Sequence, residues 1–214
     1  MKPTRVKYCG LKTADEVAAA IDCGVAAVGF VFVEASPRYI TAAQAAPLIQ
    51  QVQQAGIQAV ALFADHTTEA VLAITEQTQP DVLQFHGQET PEFCEHFDRP
   101  YWKAVPMLSL ADPLSYMAQY PSANAFLLDA FGGTQMGGSG QAFMWSRMPQ
   151  QTSHTLILAG GIKPENVQQA LHETGANYID TSSGIESAPG VKSAEKMQAL
   201  MQAVRAFDQN HKNH

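Results

Sequence analysis

Eight short runs of strand-forming residues, each followed by a longer stretch with helical spacing, constrain this chain more than any other feature. The runs are "RVKYCGL" (5–11), "AAVGFVF" (26–32), "QAVALFA" (58–64), "DVLQFHG" (81–87), "YWKAVPM" (101–107), "AFLLDA" (125–130), "HTLILAG" (154–160) and "NYIDTSS" (177–183). Rich in Val, Ile, Leu, Phe and Ala, they read as buried strands. The spacing predicts helices near 13–23, 41–55, 67–78, 90–97, 109–119, 143–150, 164–173 and 193–208. Thr13 with Glu16 three residues on makes a capping box, and Thr41 precedes the second helix. Pro164 suits a first helical turn, and Gly24, Gly56 and Gly175 follow three helices as C-terminal caps do. Eight such units of roughly twenty to thirty residues match a (β/α)₈ barrel. A doubly wound open sheet would usually stop at five or six strands and carry a Gly-rich first turn. The turn "KYCGLKT" carries no GxGxxG. The fold class expected is therefore α/β, a single barrel over residues 1–208 with a disordered polar tail over 209–214.

Composition excludes several classes of function. A net charge of -7 disfavours a nucleic-acid surface, which needs a basic face to neutralise phosphates. It leaves room for a small anionic substrate held by a few local donors. The longest apolar run, "AAVGFVFV" (26–33), is far too short to cross a bilayer, and no apolar segment follows the first charged residues as in a signal peptide. Three cysteines, Cys9, Cys23 and Cys94, are odd in number and show no CxxC or Cys/His metal spacing. No histidine pair has HExxH spacing. Free thiols, a cytoplasmic location and no metal, membrane or nucleic-acid partner are expected, while nothing here sets an oligomeric state.

In this fold the active site lies at the C-terminal ends of the strands. Cys9, His86, Asp129, Gly160 and Ser182 all fall at such ends. Arg5, Lys7 and Cys9 share one face of their strand, with Val6 and Tyr8 on the other. A free thiol titrates near ~8.5, and a nearby ammonium such as Lys7 would lower that value and make a usable base. The alternative is a small buried apolar cysteine, the reading adopted for Cys23 and Cys94. Asp129 ends an apolar run, where partial burial raises a carboxyl pKa towards that of a proton donor. An ordinary loop-ordering aspartate is the alternative. The loop after it holds Gly132, Gly133, Gly137, Gly138 and Gly140 and reads as a ligand cover or a plain connection.

Two Gly/Ser turns follow the last two strands. "LAGGIKPENV" carries Gly160 and Gly161, and "DTSSGIESAPGVK" carries Ser182, Ser183 and Gly184. Backbone N–H groups of such a pair commonly bind phosphate in a barrel. Arg38, in "VEASPRYI", would clasp a carboxylate in bidentate fashion or stand solvated. Gln84 and His86 share a face of the fourth strand and read as a polar pair lining the barrel rather than as catalysts. Asp180 would face the interior near Lys7. His96, His172, His211 and His214 fall on helices or in the tail and receive no role.

Together these motifs resemble the phosphoribosylanthranilate isomerases of tryptophan biosynthesis. The likeness runs in order through "VKYCGL", "GFVFVEASPRYI", "LQFHGQE", "LLDA", "GGSGQAFMW", "LAGGIKPENV" and "DTSSGIESAPGVK", nearly the whole chain. It implies an Amadori rearrangement of N-(5-phosphoribosyl)anthranilate, with no cofactor and no metal. Carried over position by position, Cys9 matches the base, Asp129 the acid, Arg38 the arginine on the anthranilate carboxylate, and the two glycine turns the phosphate site. Met144 departs from the aspartate common before the tryptophan, and Ser193 from the aspartate that commonly follows the lysine found here at Lys192. The related isomerase of histidine biosynthesis has an aspartate at the base position, so Cys9 argues against it. Indoleglycerol-phosphate synthase has catalytic lysines and glutamates absent here. A non-catalytic sugar-phosphate-binding barrel would keep the turns but would not need both Cys9 and Asp129.

Overall fold

The computed structural model describes residues 3–130, 145–149 and 152–212. The five-glycine loop and Met144 lie outside the described residues. Eight parallel strands close into a barrel in chain order. They are β1 Arg5–Cys9, β2 Ala27–Val31, β3 Gln58–Phe63, β4 Val82–Phe85, β5 Tyr101–Pro106, β6 Ala125–Asp129, β7 Thr155–Leu158 and β8 Tyr178–Thr181. The ring closes where β8 pairs with β1, setting Asp180 beside Lys7. Helices lie between strands: α1 Ala14–Cys23, α2 Ala42–Gln54, α3 Thr68–Thr78, α4 Pro91–Glu95, α5 Pro113–Met117 and α6 Val167–Thr174, with α7 Ala194–Lys212 last. No helix among the described residues is long and apolar enough to cross a membrane.

Local chemistry starts and stops these helices where expected. Thr13 and Glu16 form the capping box of α1, and Thr41 forms a second one with Gln44 at α2. Gly24 and Gly175 take the left-handed C-cap conformation, φ 72° and 65°. Three departures stand out. Helix α6 begins at Val167 rather than near Pro164, because Asn166 turns its side chain into the preceding loop, donating to Gly161 O at 2.8 Å and accepting from Lys163 N at 2.9 Å. Helix α7 runs on to Lys212, past residue 208, where the polar tail was expected to begin. There the His211 ring stacks on Phe207 at 4.0 Å between centroids, which gives the last turn an apolar contact. The third is a small antiparallel hairpin, β9 Glu186–Ala188 and β10 Val191–Lys192, in place of the plain turn expected after β8.

Strand alternation divides the core in two. Outward-facing Tyr8, Val28, Phe30, Phe63, Phe85 and Phe126 belong to the large cluster under the helices. Inward-facing Ala27, Val60, Val82, Trp102, Leu127, Ile157 and Tyr178 plug the barrel. Above that plug Cys9, Val31 and Leu62 form a third, small cluster. The interior is thus filled with side chains among the described residues, which points to the C-terminal rim as the place for a ligand.

Candidate active site

A cavity of about 620 Å³ opens at that rim, lined among others by Cys9, Arg38, His86, Asp129, Gly160 and Ser182. Ser183, Gly161, Gln84 and Asp180 line it too. These expected site residues therefore surround one rim cavity, while Gly184 is not among the residues that line it. Lys7 sits below the cavity floor, fully buried.

Cys9 ends β1 and points inward because Tyr8 points out. Its neighbour across the ladder is Gly29. A Cβ at Gly29 would come within 2.8 Å of the Cys9 sulfur and 3.0 Å of Lys7 Nζ, so only glycine leaves this pair its space. Sequence reasoning missed Gly29, although a glycine amid the bulky run of β2 is the visible signal. Lys7 Nζ donates to Asp180 Oδ1 at 2.9 Å, making a buried ion pair directly beneath the thiol. Burial would pull the Lys7 ammonium down, but Asp180 and Cys9 more than offset it and the net shift is upward. Burial pushes the Cys9 thiol up, Lys7 and Lys192 pull it down, Asp180 pushes it up again, and the balance lies above the ordinary value. Lys7 does lower it, as expected, but burial is the larger effect and Asp180 opposes the ammonium, so the thiol is not brought below its ordinary value.

Asp129 ends β6 with its carboxyl at the cavity wall. Ala130 N donates to Oδ1 at 2.7 Å, and His86 Nε2 lies 3.2 Å from Oδ2. Gln84 Nε2 stands 3.2 Å from the other ring nitrogen of His86. The polar pair expected on β4 is real, but it reaches across to Asp129, a contact that sequence spacing alone does not reveal. Gly160, φ 79°, passes so near that a Cβ would come within 2.8 Å of Asp129 Oδ1.

The two glycine turns are locked together. Thr181 Oγ1 donates to Ile162 O at 2.7 Å, and a Cβ on Gly184 would overlap that same carbonyl. Ser182 Oγ donates to Cys9 O at 2.9 Å, tying the β8 turn to the end of β1. A short 3₁₀ turn, Ser183–Ile185, follows.

Arg38 is neither solvated nor waiting for a partner. Its Nε and Nη2 donate to Glu186 Oε1 and Oε2 at 2.6 and 3.0 Å, a bidentate pair from β9. Gly10, φ 81°, lies flat beneath it, since a Cβ there would meet Arg38 Cδ at 2.7 Å. Lys192 Nζ also reaches Glu186 Oε1, at 2.7 Å, and donates to Ser182 O at 3.0 Å. Burial would push the Glu186 carboxyl up, but its bonds from Arg38 and Lys192 hold it below the usual range. Burial pulls the Lys192 ammonium down further than Glu186 restores it. Glu186 and Lys192 went unassigned in the sequence, being far from Arg38 along the chain. Among the described residues no group of three His, Cys, Asp or Glu side chains has the arrangement of a metal site.

The site is a rim cavity with a thiol on one wall, a carboxyl on another, backbone turns at β7 and β8, and an oriented guanidinium. Such a set suits proton transfers on a small anionic sugar. The family model described as N-(5'phosphoribosyl)anthranilate (PRA) isomerase matches residues 6–203. An N-(5'-phosphoribosyl)anthranilate isomerase of Cellvibrio japonicus (strain Ueda107) is 43% identical over 201 residues, 94% of this chain and 93% of that protein. The crystal structure of phosphoribosyl anthranilate isomerase from Thermus thermophilus superposes with a TM-score of 0.83 at 36% identity, covering 95% of this chain and 99% of that one. A further isomerase structure, in complex with reduced 1-(o-carboxyphenylamino)-1-deoxyribulose 5-phosphate, has a TM-score of 0.77 at 26% identity, covering 95% of this chain and 99% of that one.

Proposed function

The chain belongs to the N-(5'-phosphoribosyl)anthranilate isomerase family, and we propose that Cys9 is the general base of its reaction and Asp129 the general acid. The activity is an isomerisation in tryptophan biosynthesis, from N-(5'-phosphoribosyl)anthranilate to 1-(2-carboxyphenylamino)-1-deoxyribulose 5-phosphate. The observation that carries the assignment of roles is that the inward-facing thiol and the carboxyl of Asp129 line one cavity together with both glycine turns.

Ring opening needs a proton on the ribose ring oxygen, and Asp129 supplies it. The C1′–O bond breaks with its electron pair going to oxygen, leaving an iminium at C1′. That iminium acidifies C2′–H, and the Cys9 thiolate takes the proton. The resulting enolamine relaxes to the ketone. Because the resting thiol is held above its ordinary value, the thiolate is a minority form at neutral pH. Lys7 and Asp180 support the base by setting its charge balance. The phosphate is bound by backbone N–H groups of Gly160–Gly161 and Ser182–Gly184. Arg38, aimed by Glu186, meets the anthranilate carboxylate with its remaining Nη1 edge. A reducing compartment such as the cytoplasm suits three cysteines that are all unpaired.

The test is a pair of variants. Cys9→Ser replaces the thiol with a hydroxyl far too weakly acidic to form an anion at neutral pH, and Asp129→Asn keeps the shape without the proton. Each is expected to lower kcat by about 10²- to 10⁴-fold or more, roughly 3–5 kcal/mol in the barrier, with substrate binding retained. Full activity in Cys9→Ser would sink the proposed mechanism.

A further inference from the structure

Asp129 has a nitrogen close to each of its oxygens, hydrogen-bonded at Oδ1 and at ion-pair distance at Oδ2. Ala130 N donates to Oδ1 at 2.7 Å, and His86 Nε2 lies 3.2 Å from Oδ2. On the far side of the ring, fully buried Gln84 brings its amide nitrogen to 3.2 Å from His86 Nδ1. We propose that Gln84 and His86 are positioning residues for the acid: the Gln84 amide keeps the ring proton on Nε2, and that N–H holds Oδ2 of Asp129. The inference rests on the reading of Asp129 as the proton donor.

The chemistry of the three groups leads there. An amide NH₂ only donates, so the nitrogen it faces must accept, and a neutral imidazole then carries its one proton on the other nitrogen. Gln84 Oε1 has no hydrogen-bond partner among the described residues, so the ring contact is what orients the amide. The tautomer matters to the reaction. A bare Nε2 lone pair facing Asp129 would accept the carboxyl proton and turn it away from the substrate. An N–H at that point cannot accept it, so the proton is left for the ribose ring oxygen. Once that proton has moved, both carboxylate oxygens already face N–H donors, aimed where negative charge develops.

The ring is also fixed at its root. Gly87, the next residue, donates to Glu89 Oε2 at 2.9 Å and accepts from Lys103 Nζ at 2.6 Å. Lys103 and Glu89 are themselves a buried pair at 2.9 Å. A Cβ at Gly87 would run into Asp65, so the turn after β4 has no slack. A side chain that must hold an acid in reacting geometry needs such support.

The experiment joins steady-state kinetics to ¹⁵N NMR of the histidine rings. In the wild-type protein at pH 8, His86 is expected to carry its proton on Nε2. Gln84→Glu presents only acceptors to the ring, and should move that proton to Nδ1 and lower kcat. His86→Ala should lower kcat by about 10²-fold while KM stays within about threefold. His86→Gln, whose amide N–H can reach Oδ2, should recover about tenfold of that loss. A wild-type proton on Nδ1 overturns the proposal, and that measurement does not depend on any variant folding. So does an unchanged kcat in His86→Ala, or a raised KM with kcat intact, which would make His86 a substrate contact instead. Asp129→Asn separates the two layers: activity there refutes the acid itself, whereas an inactive Asp129→Asn beside a fully active His86→Ala refutes only the positioning.

Discussion

At Cys9 the outcome of three competing effects sets how readily the proposed base ionises. Burial opposes the thiolate, Lys7 and Lys192 favour it, and Asp180 opposes it, with burial the largest. The alkylation rate of Cys9 by iodoacetamide reads the thiolate directly. Its pH midpoint is expected above that of a free thiol, about 8.5. The sign of each variant follows. Lys7→Met removes a cation that favours the anion, so the midpoint should rise further. Asp180→Asn removes an anion, so the midpoint should fall. A wild-type midpoint below that of a free thiol would mean that burial does not govern the site. The inward direction of this thiol was legible from strand alternation, because parity needs only the strand. Its pKa was not legible, because Asp180 comes from the opposite end of the chain and reaches Lys7 only when the barrel closes.

The eight strands were legible because a strand covered on both sides is written as a short, largely apolar run, broken here only by Lys7, Gln84, Lys103, Asp180 and a few others, and all eight expected runs contain the observed strands. The β9–β10 hairpin was not, since three and two residues around Pro189 and Gly190 carry no periodic pattern. Yet this element brings Glu186 to Arg38 and Lys192, and so it aims the guanidinium that sequence reasoning could only leave as clasp or solvated surface. Glu186→Gln keeps the shape and removes the charge. At pH 7 it should destabilise the protein by about 1.5–3 kcal/mol, the value of hydrogen bonds to charged groups. The pH dependence follows from the lowered carboxyl. A depressed native pKa contributes stability above the unfolded value, about 4.3, and that contribution is lost as pH falls through the native value. Urea denaturation should therefore show the variant's deficit at pH 7 shrinking below about pH 4. A deficit unchanged by pH would mean that the charge is not what stabilises the hairpin. Arg38 loses its aim in the same variant, so KM for the substrate should rise too.

Across the whole molecule, stability and chemistry occupy different levels of one barrel. The plug of Trp102, Leu127, Ile157 and their neighbours fills the interior below the cavity. Leu127 is fully buried, and Leu127→Ala should lower stability by about 2–5 kcal/mol, through lost transfer energy and the cavity left behind. Because Leu127 faces that plug and not the rim, kcat/KM of the folded variant should stay within about twofold of wild type. A large fall in kcat/KM would show that the plug transmits its packing to the rim. Closure of the ring has a consequence in time as well as in space. Strand β1 finds its second partner only in β8, and Lys7 meets Asp180 across 173 residues of chain. At about 5–20 residues per second, a ribosome needs roughly 10–35 s to deliver that partner after β1 has been made. Throughout that interval one edge of β1 is an open template for foreign strands, and a lysine destined for the interior has no counter-charge. Birth is thus the hazardous hour of this enzyme: a chain halted before β8 is a protein without a reaction and with an edge to offer any neighbour.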